Sequence, residues 1–502
     1  MQRYGRFTVR GSTLRGVEGV PVDVEVVVSK GMPGFSIVGM PDAAIQEARE
    51  RIRAAIQACG YTMPGDKVVV NLAPGSIKKV GTGFDLPIAA ALLAATAQIP
   101  GPVAQRYLMV GELSLEGDVK GVPGLLSHAI CAQREGYAFL SGAARGGLVP
   151  IAGLEVGIIA RLSDLRDAAF DIPEVYVPGT VPPVRDFAEI AGHDVAKRVL
   201  QIAAAGMHGV LMMGPPGSGK TMLASCMPSI LPPLTSSEQL QSAMVYSVAE
   251  ENADGILQGF RPFRAPHHSS TLPGLVGGGS PVRPGEVSLA HNGVLFLDEI
   301  AEFKPSVLQA LRQPMESGFV TITRADGSVR FPARFALIAA SNPCPCGYCG
   351  DEEHECSCSQ TRIDAYLARI GGPLMDRIAM RIDVARLDAG SVLQSGRGTS
   401  SAELAEGVEK GREFASWRQS SEGEIPRSEG FKGALAAVLA SCRLDDAVLA
   451  RFEERARRFG LSGRGIVKTL SVARTIADIA QSRVVTNEHL AEGLQYRIGD
   501  RP

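Results

Sequence analysis

The residues from Gly214 to Thr221 form a complete phosphate-binding loop. In order, they are Gly214, Pro215, Pro216, Gly217, Ser218, Gly219, Lys220 and Thr221. In such a loop the glycines let backbone N–H groups curl around a phosphate, the lysine reaches the β and γ oxygens, and the next hydroxyl binds Mg²⁺. An apolar strand precedes the loop at 210–213, and a run compatible with a helix follows at 222–227. The sequence therefore predicts binding of a nucleoside triphosphate with Mg²⁺.

Two carboxylates follow an apolar run further along the chain. Residues 294–300 read Val-Leu-Phe-Leu-Asp-Glu-Ile, which is typical of a buried strand that ends in Asp298 and Glu299. At that position Asp298 lies beside the Mg²⁺ shell, and Glu299 can polarise a water molecule. Acidic pairs at strand ends are common. Downstream of a complete phosphate loop, however, this pair indicates a site that hydrolyses a nucleotide.

Three further polar residues are candidates for the same chemistry. Asn342 follows the apolar run 335–340 and can orient the attacking water or contact the γ-phosphate, unless it is a plain Asn-Pro turn. Arg377 can stabilise transition-state charge on a neighbour's nucleotide, with a solvated surface arginine as the alternative. Arg464 stands at the start of a predicted helix, from which a lid can reach the γ-phosphate. For that role Arg474, or neither residue, is the alternative.

These residues require an α/β framework with a helical domain beside it. Up to about residue 170, strand-like and helix-like apolar runs alternate, and a second α/β unit carries the phosphate loop and both carboxylates. A stiff connector separates the two units and contains Pro173, Pro178, Pro182 and Pro183. We therefore predict an α/β domain at 1–170, a Pro-rich linker at 171–186, a nucleotide-binding domain at 187–389 and a helical domain at 390–502.

Composition limits the classes of protein to which the chain can belong. Its 502 residues are 45% hydrophobic and 21% charged, which is typical of a globular protein with two to four domains. The formal net charge of −2 gives no overall basic field, so nucleic acid must be bound by local patches or by several chains around one channel. We find neither an export signal nor a membrane-spanning run, and expect a cytoplasmic protein.

Five of the nine cysteines are clustered between residues 344 and 358. Two Cys-x-Cys pairs supply enough thiolates for one tetrahedral Zn²⁺ site, and these are Cys344, Cys346, Cys356 and Cys358. Cys349 and His354 are spare donors. We expect a structural zinc ion that orders a loop after Asn342, with free thiols or redox chemistry as the alternatives.

Together these residues resemble the ComM/YifB family, which belongs to the magnesium-chelatase-like branch of the AAA+ ATPases. The resemblance extends over nearly the whole chain. Besides the phosphate loop, the segments that carry it are 31–42, 69–74, 84–87, 264–268, 285–291, 342–347 and 473–478.

The resemblance implies a fold and an assembly. The expected fold is an AAA+ P-loop NTPase core, a Lon-like α/β N-terminal domain similar to ribosomal S5 domain 2, and a helical C-terminal lid. The expected assembly is a homo-hexamer. The resemblance gives motor roles to the matching residues, which are Lys220, Thr221, Asp298, Glu299, Asn342, Arg377 and Arg464.

The resemblance also implies an activity. Members of this family act in natural transformation as ATP-driven branch-migration helicases, which extend the pairing of incoming single-stranded DNA with the chromosome. We therefore expect ATP and Mg²⁺ as cofactors and single-stranded or branched DNA as partner, with recombination proteins as further candidate partners.

Two segments are the candidate DNA contacts. Residues 319–335 alternate and contain Asp326-Gly327, which predicts a β-hairpin whose Arg324 and Arg330 touch phosphates; an edge hairpin with solvated charges is the alternative. Residues 264–279 place His267 and His268 before a Gly-rich loop expected to be flexible, and in related motors an insertion here faces the central channel. A surface loop with capping histidines is the alternative.

A Lon-like domain raises proteolysis by a Ser-Lys dyad as a rival activity. Aligned on the nucleophile loop of the protease, this chain has Gly83 in place of the serine. It has Leu126 in place of the lysine. Without a hydroxyl or an amine at these positions there is no activated nucleophile, and we expect a scaffold, a collar or a substrate guide.

Two other classes of function remain open. One is a metal-chelatase motor subunit that acts on a protein partner, and the other is a chaperone or assembly platform regulated by ATP. The N-terminal domain and the cysteine cluster favour the DNA motor over the chelatase subunit. The predicted helix at 403–418 is more acidic than the family leads us to expect, which speaks against a DNA contact there.

Overall fold

A computed structural model describes residues 5–143, 150–172, 179–181, 183–324, 327–351, 353–387, 398–422 and 430–498. Asp326 of the predicted turn, residues 173–178 and 182 of the Pro-rich linker, and the predicted boundary at 389–390 lie outside these ranges. Within them, every helix is too short or too polar to span a membrane.

The N-terminal domain is built on one mixed sheet of seven strands. In spatial order they are Gly34–Val38, Lys67–Ala73, Glu18–Ser29, Arg6–Arg15, Tyr107–Val110, Ala138–Ser141 and Val156–Ile158. The strand 18–29 pairs antiparallel with both of its neighbours, whereas the other neighbouring strands are parallel. Every second residue from Val22 to Val28 is a buried valine, so one face of the strand 18–29 is buried.

Helices cover this sheet and complete its core. They are Ala43–Ala58, Asp85–Ala95, Gly101–Arg106 and Leu125–Glu135, and a two-strand ribbon pairs Glu112–Leu113 with Val119–Lys120. The helix 43–58 begins after Asp42, whose carboxylate accepts a hydrogen bond from the N–H of Ile45. The helix 85–95 is buried over most of its length because the sheet and the helix 43–58 both pack on it.

The second domain is built on a sheet of five parallel strands. In spatial order they are Phe263–Arg264, Gly293–Leu297, Phe335–Ser341, Val210–Met213 and Met380–Asp383. The three central strands are almost wholly buried, which explains their continuous apolar sequence. Because all five strands point the same way, the residues that follow them meet at one edge of the sheet.

Short helices surround the parallel sheet. They are Asp194–Gly206, Lys220–Ser225, Ser236–Ala249, Asp254–Leu257, Leu272–Val276, Glu286–Leu289, Pro305–Ala310, Arg312–Ser317, Gln360–Ala368 and Gly372–Met375. The helix after the phosphate loop ends at Ser225, earlier than the apolar run suggested, because Pro228 lies in a single 3₁₀ turn, Met227–Ser229.

The two candidate DNA contacts lie in connections between strands of the parallel sheet. The predicted hairpin is present and pairs Phe319–Arg324 antiparallel with Gly327–Pro332. The segment 264–279 contains a short helix, Leu272–Val276, which Thr271 caps by accepting from the N–H of Gly274. A two-residue ladder between Gly277–Gly278 and Arg283–Pro284 follows.

The C-terminal domain is helical, as predicted. Its helices are Ser401–Glu422, Gly430–Cys442, Asp446–Arg458, Gly463–Ile479 and Asn487–Ile498. The first packs on both 463–479 and the helix 194–206 of the nucleotide-binding domain. Its Arg418 is buried and donates two hydrogen bonds to Asp478, at 3.1 and 3.2 Å. This helix is therefore part of the domain core.

The N-terminal domain contacts the nucleotide-binding domain through an apolar patch. Leu126 is buried in a cluster that also contains Leu234 and Tyr246. The backbone N–H of Gly124 donates to the carbonyl of Ser247, at 3.0 Å. Leu126, which the sequence comparison placed opposite the lysine of a Lon-like protease, is thus an apolar residue in the contact between the two domains.

Candidate nucleotide-binding site

The phosphate loop is held between two neighbouring strands of the parallel sheet. The N–H of Gly214 donates to the carbonyl of Ser341, at 3.2 Å. A Cβ at Gly214 would collide with the carbonyl of Val384. Gly217 and Gly219 have φ values of +78° and +84°, which favour glycine. These glycines let the backbone N–H groups turn inward, as phosphate binding requires.

The ammonium group of Lys220 lies inside the loop. It donates to the carbonyls of Gly214 and Pro215, both at 2.7 Å. Lys220 is only 8% exposed, and this burial lowers its pKa, while the carboxylates of Asp298 and Glu299 act in the opposite direction. A bound phosphate would take the place of the two carbonyl groups and would give the ammonium group a partner of opposite charge.

Thr221 and Asp298 meet as the sequence predicted. The hydroxyl of Thr221 donates to Oδ2 of Asp298, at 2.7 Å. A hydroxyl and a carboxylate are hard oxygen ligands, which suit Mg²⁺ bound jointly by protein and phosphate. The pair fits a Mg²⁺ site beside the phosphate loop.

Glu299 follows Asp298 in a left-handed conformation, with φ +48°. Its N–H donates to Oδ1 of Asp298 at 2.9 Å, and its side chain is 53% exposed. Such a left-handed backbone is strained for a residue other than glycine, and strain of this kind is typical of functional sites. Because its side chain is exposed, Glu299 is accessible to a water molecule, which its carboxylate can polarise.

Asn342 completes this edge of the sheet. It follows the strand 335–341, and its Oδ1 lies 3.5 Å from Nζ of Lys220. The structure thus brings together Lys220, Thr221, Asp298, Glu299 and Asn342, all of which the sequence analysis named.

His268 belongs to this site, although the sequence analysis placed it among the candidate DNA contacts. Its Nδ1 lies 3.7 Å from Oε2 of Glu299, and its ring is 4.0 Å from that of His267. The signal was its position after the strand 263–264. This strand has only two residues, and its weak pattern hid the fact that its carboxyl end meets the site.

Arg377 and Arg464 lie together, away from this edge. Arg377 Nη2 is 2.7 Å and Arg464 Nη2 is 2.9 Å from the same oxygen, Oε1 of Glu316. Arg377 precedes the strand 380–383, so it lies at the amino edge of the sheet. Arg474, the alternative to Arg464, is buried and binds backbone carbonyls and Asp478.

The four predicted zinc ligands form one cluster. The sulfur atoms of Cys344, Cys346, Cys356 and Cys358 all lie within 4.8 Å of one another. Three of the Sγ–Sγ distances are 3.3, 3.6 and 3.7 Å, whereas sulfurs on a tetrahedral Zn²⁺ with bonds of about 2.3 Å stand about 3.8 Å apart. The pKa of the Cys346 thiol is lowered to about 6, mainly because the backbone N–H of Tyr348 donates a hydrogen bond to it. The cluster can hold a zinc ion with little adjustment.

The spare donors have other partners. Cys349 is outside the cluster. His354 stacks on Tyr348 at 4.8 Å, and its Nδ1 contacts Arg386 at 3.2 Å. Among the described residues, the candidate metal ligands here are therefore the four cysteines.

The loop between the cysteine pairs lies against the phosphate loop. A Cβ at Gly347 would stand 2.7 Å from ring atoms of Pro216, so only glycine allows this approach. Arg386 donates from Nη2 to the carbonyl of Pro216 at 2.9 Å and lies 3.7 Å from the buried Asp351. The cysteine cluster thus supports one wall of the nucleotide site.

Both predicted arginines of the hairpin are on the surface. Arg324 is exposed at the end of the first strand, and Arg330 is exposed with its guanidinium 4.5 Å from the ring of Phe319. A guanidinium that stacks on a ring and is exposed to solvent can still donate hydrogen bonds to a phosphate.

Models of magnesium-chelatase families match three parts of the chain. The model described as magnesium chelatase, subunit ChlI, matches residues 186–392. Subunit ChlI of Mg-chelatase matches residues 24–141, and the ChlI C-terminal model matches residues 398–497.

Curated relatives match almost the whole chain. The competence protein ComM of Haemophilus influenzae is 40% identical over 494 residues, which are 96% of this chain and 95% of ComM. YifB of Salmonella typhimurium is 40% identical over 497 residues, 97% of this chain and 96% of YifB. This chain belongs to the ComM/YifB family of magnesium-chelatase-like ATPases. By contrast, the chloroplast ChlI subunit of Nicotiana tabacum is 27% identical over 32% of this chain and 43% of its own length.

Family membership and geometry agree on the chemistry of the site. The magnesium-chelatase-like family implies ATP hydrolysis with Mg²⁺. The parallel sheet, with the phosphate loop, the two carboxylates and Asn342 at one edge, is consistent with the P-loop fold of AAA+ ATPases.

Proposed function

We propose that this chain is an ATP-driven ring motor that moves single-stranded or branched DNA. The observation that carries the proposal is the division of the hydrolytic groups between two edges of one sheet. Lys220, Asp298 and Glu299 lie at the carboxyl edge, whereas Arg377 lies at the amino edge. A site of this kind is completed when a second copy presents its arginine. In a closed ring of six copies, every nucleotide site receives an arginine from a neighbour.

The chain's own residues divide the work of hydrolysis. Lys220 would bind the β- and γ-phosphates, and Thr221 with Asp298 would hold Mg²⁺, which when bound would neutralise charge on the phosphates. Glu299 accepts a proton from the attacking water, and Asn342 orients that water. The backbone N–H groups of the phosphate loop fix the nucleotide in place.

The proposed DNA contact is the hairpin 319–332. Its Arg324 and Arg330 are exposed and stand on a short two-strand ribbon. Six such ribbons around one channel would concentrate positive charge despite a net charge of −2 on each chain. The relative named competence protein supports a task related to competence. The task that we propose is heteroduplex extension during natural transformation or recombination, with DNA as the partner.

A structural zinc ion is part of the proposal. The four clustered thiols suit Zn²⁺ in number and spacing, and the loop that they close rests on Pro216 of the phosphate loop. The proposed role of the ion is to keep this wall of the nucleotide site in place.

A metal-chelatase motor subunit is the second candidate, because three ChlI models match the chain. Such a protein would be stimulated by a protein partner. A chaperone or assembly platform, the third candidate, would need nucleotide only to assemble.

The test is ATP hydrolysis measured with linear single strands, forks and four-way junctions, together with resolution of a labelled junction. We expect single-stranded or branched DNA to stimulate hydrolysis and the junction to be resolved only with ATP and intact Glu299. Equal hydrolysis with and without DNA, together with an unprocessed junction, would exclude the DNA motor.

A further inference from the structure

Glu316 joins two arginines from different domains. Its Oε1 lies 2.7 Å from Arg377 Nη2 and 2.9 Å from Arg464 Nη2. Arg377 belongs to the nucleotide-binding domain, whereas Arg464 is the second residue of the helix 463–479 in the C-terminal domain. One carboxylate oxygen thus fixes the distance between two guanidinium groups.

More cations than carboxylates surround this junction. Arg497 lies 3.6 Å from Asp376, which neighbours Arg377, and donates to the carbonyl of Asp376 at 3.2 Å. Lys468 lies one turn along the helix from Arg464 and is partly buried, which lowers its pKa. The cluster combines four basic side chains with the carboxylates of Glu316 and Asp376, so a positive excess remains that suits an anion.

The cluster lies at the edge of the sheet opposite the phosphate loop. Residue 380 pairs with residue 210 in the parallel sheet, and Arg377 precedes it. The phosphate loop begins at Gly214, at the other end of the same strand. At about 3.3 Å per residue, the five steps from 209 to 214 span about 16 Å, which is beyond the reach of an arginine side chain. The two arginines therefore do not serve the nucleotide of their own chain.

The contact between Glu316 and the two arginines leaves N–H donors for a phosphate. The side chain of Arg377 is 11% exposed, so it needs a charged partner, whereas that of Glu316 is 46% exposed. The side chain of Arg464 is 53% exposed and can keep Glu316 on one side while its other N–H groups bind phosphate oxygens, whereas Arg377 also donates from Nη1 to the carbonyl of Pro373.

We propose that Glu316 is a positioning residue that holds Arg377 and Arg464 as one phosphate-binding pair for a second copy of this chain. The ligand is the terminal phosphate of ATP bound in the phosphate loop of that copy. The inference rests on the proposed ring motor, and it adds a residue that neither touches the nucleotide nor belongs to the phosphate loop.

The test mixes two variants of the full chain, each of which is impaired on its own. Lys220→Ala lacks its own phosphate site but presents an intact Glu316. Glu316→Gln keeps its phosphate site but loses the charge that holds the arginines. We expect Glu316→Gln alone to bind a fluorescent ATP analogue normally and to lose about tenfold or more in kcat, with KM little changed.

We expect a 1:1 mixture of these variants to regain activity. In a random closed ring about a quarter of the contacts between copies combine the phosphate loop of Glu316→Gln with the arginine pair of Lys220→Ala. The control mixture replaces Lys220→Ala by the double variant Lys220→Ala/Glu316→Gln and should stay inactive. Glu155→Gln, which breaks an exposed pair with Arg106 in the N-terminal domain, should leave the rate unchanged.

Two results would overturn the proposal, and they differ. If Arg377→Ala with Lys220→Ala regains activity but Glu316→Gln with Lys220→Ala does not, Glu316 does not act across the contact. If neither mixture regains activity, Arg377 itself does not act on a second copy, and the proposed ring motor fails with it.

Discussion

At the scale of residues, the site separates binding of the nucleotide from its hydrolysis. Lys220 is buried among loop carbonyls, where its charge needs the phosphates. Glu299 is half-exposed beyond Asp298 and has no contact with the loop backbone among the hydrogen bonds of the described residues. Substitutions at these two residues should therefore have different effects.

Lys220→Ala should weaken nucleotide binding by about tenfold or more, because it removes the cation that pairs with the β- and γ-phosphates. Glu299→Gln should leave binding within about twofold and lower kcat by about 100-fold or more, because the amide accepts no proton from water. Titration with a fluorescent ATP analogue and single-turnover hydrolysis measure the two effects. Equal loss of binding in both variants would contradict these roles.

At the scale of elements, the sequence predicted the strands whose ends carry the chemistry. An apolar run precedes the phosphate loop, another precedes Asp298, and a third precedes Asn342. Each run forms a buried strand of four to seven residues, so its apolar pattern is readable from the sequence. The two-residue strand 263–264 gave no such pattern, and the position of His268 beside Glu299 was missed. The pairing of Arg377 and Arg464 on Glu316 was also missed, because contacts between side chains from different domains depend on tertiary packing.

The contact between the cysteine loop and the phosphate loop can be tested with two glycines. Gly347 and Gly350 both have positive φ values, of +90° and +77°, so alanine costs about 1–2 kcal/mol of conformational strain at either. A Cβ at Gly347 meets Pro216, whereas one at Gly350 meets no atom within 4 Å. Gly347→Ala should therefore weaken ATP binding by about fivefold or more, while Gly350→Ala should not.

The measurements are affinity for the ATP analogue and the melting temperature of each variant. Similar melting temperatures with different affinities would locate the effect at Pro216. If the two variants bind ATP equally well, the cysteine loop does not support the nucleotide site.

At the scale of the whole molecule, charge is arranged locally. The net charge of −2 hides a ribbon at 319–332 that carries the exposed Arg324 and Arg330, and a cationic cluster around Glu316. The first suits an extended polyanion, and the second suits a single phosphate held between arginines. In the proposed ring both features would be repeated in every subunit.

Binding of single-stranded DNA should weaken steeply with salt if the ribbons bind phosphates, because each neutralised phosphate releases counterions. The double variant Arg324→Ala/Arg330→Ala should lower the affinity and flatten the plot of log K against log salt by about 0.7 for each phosphate that the hairpin no longer neutralises. Arg106→Ala, which removes an exposed arginine of the N-terminal domain, is the matched control and should leave the slope unchanged. An unchanged slope in the hairpin variant, with DNA still bound, would show that another surface holds the DNA.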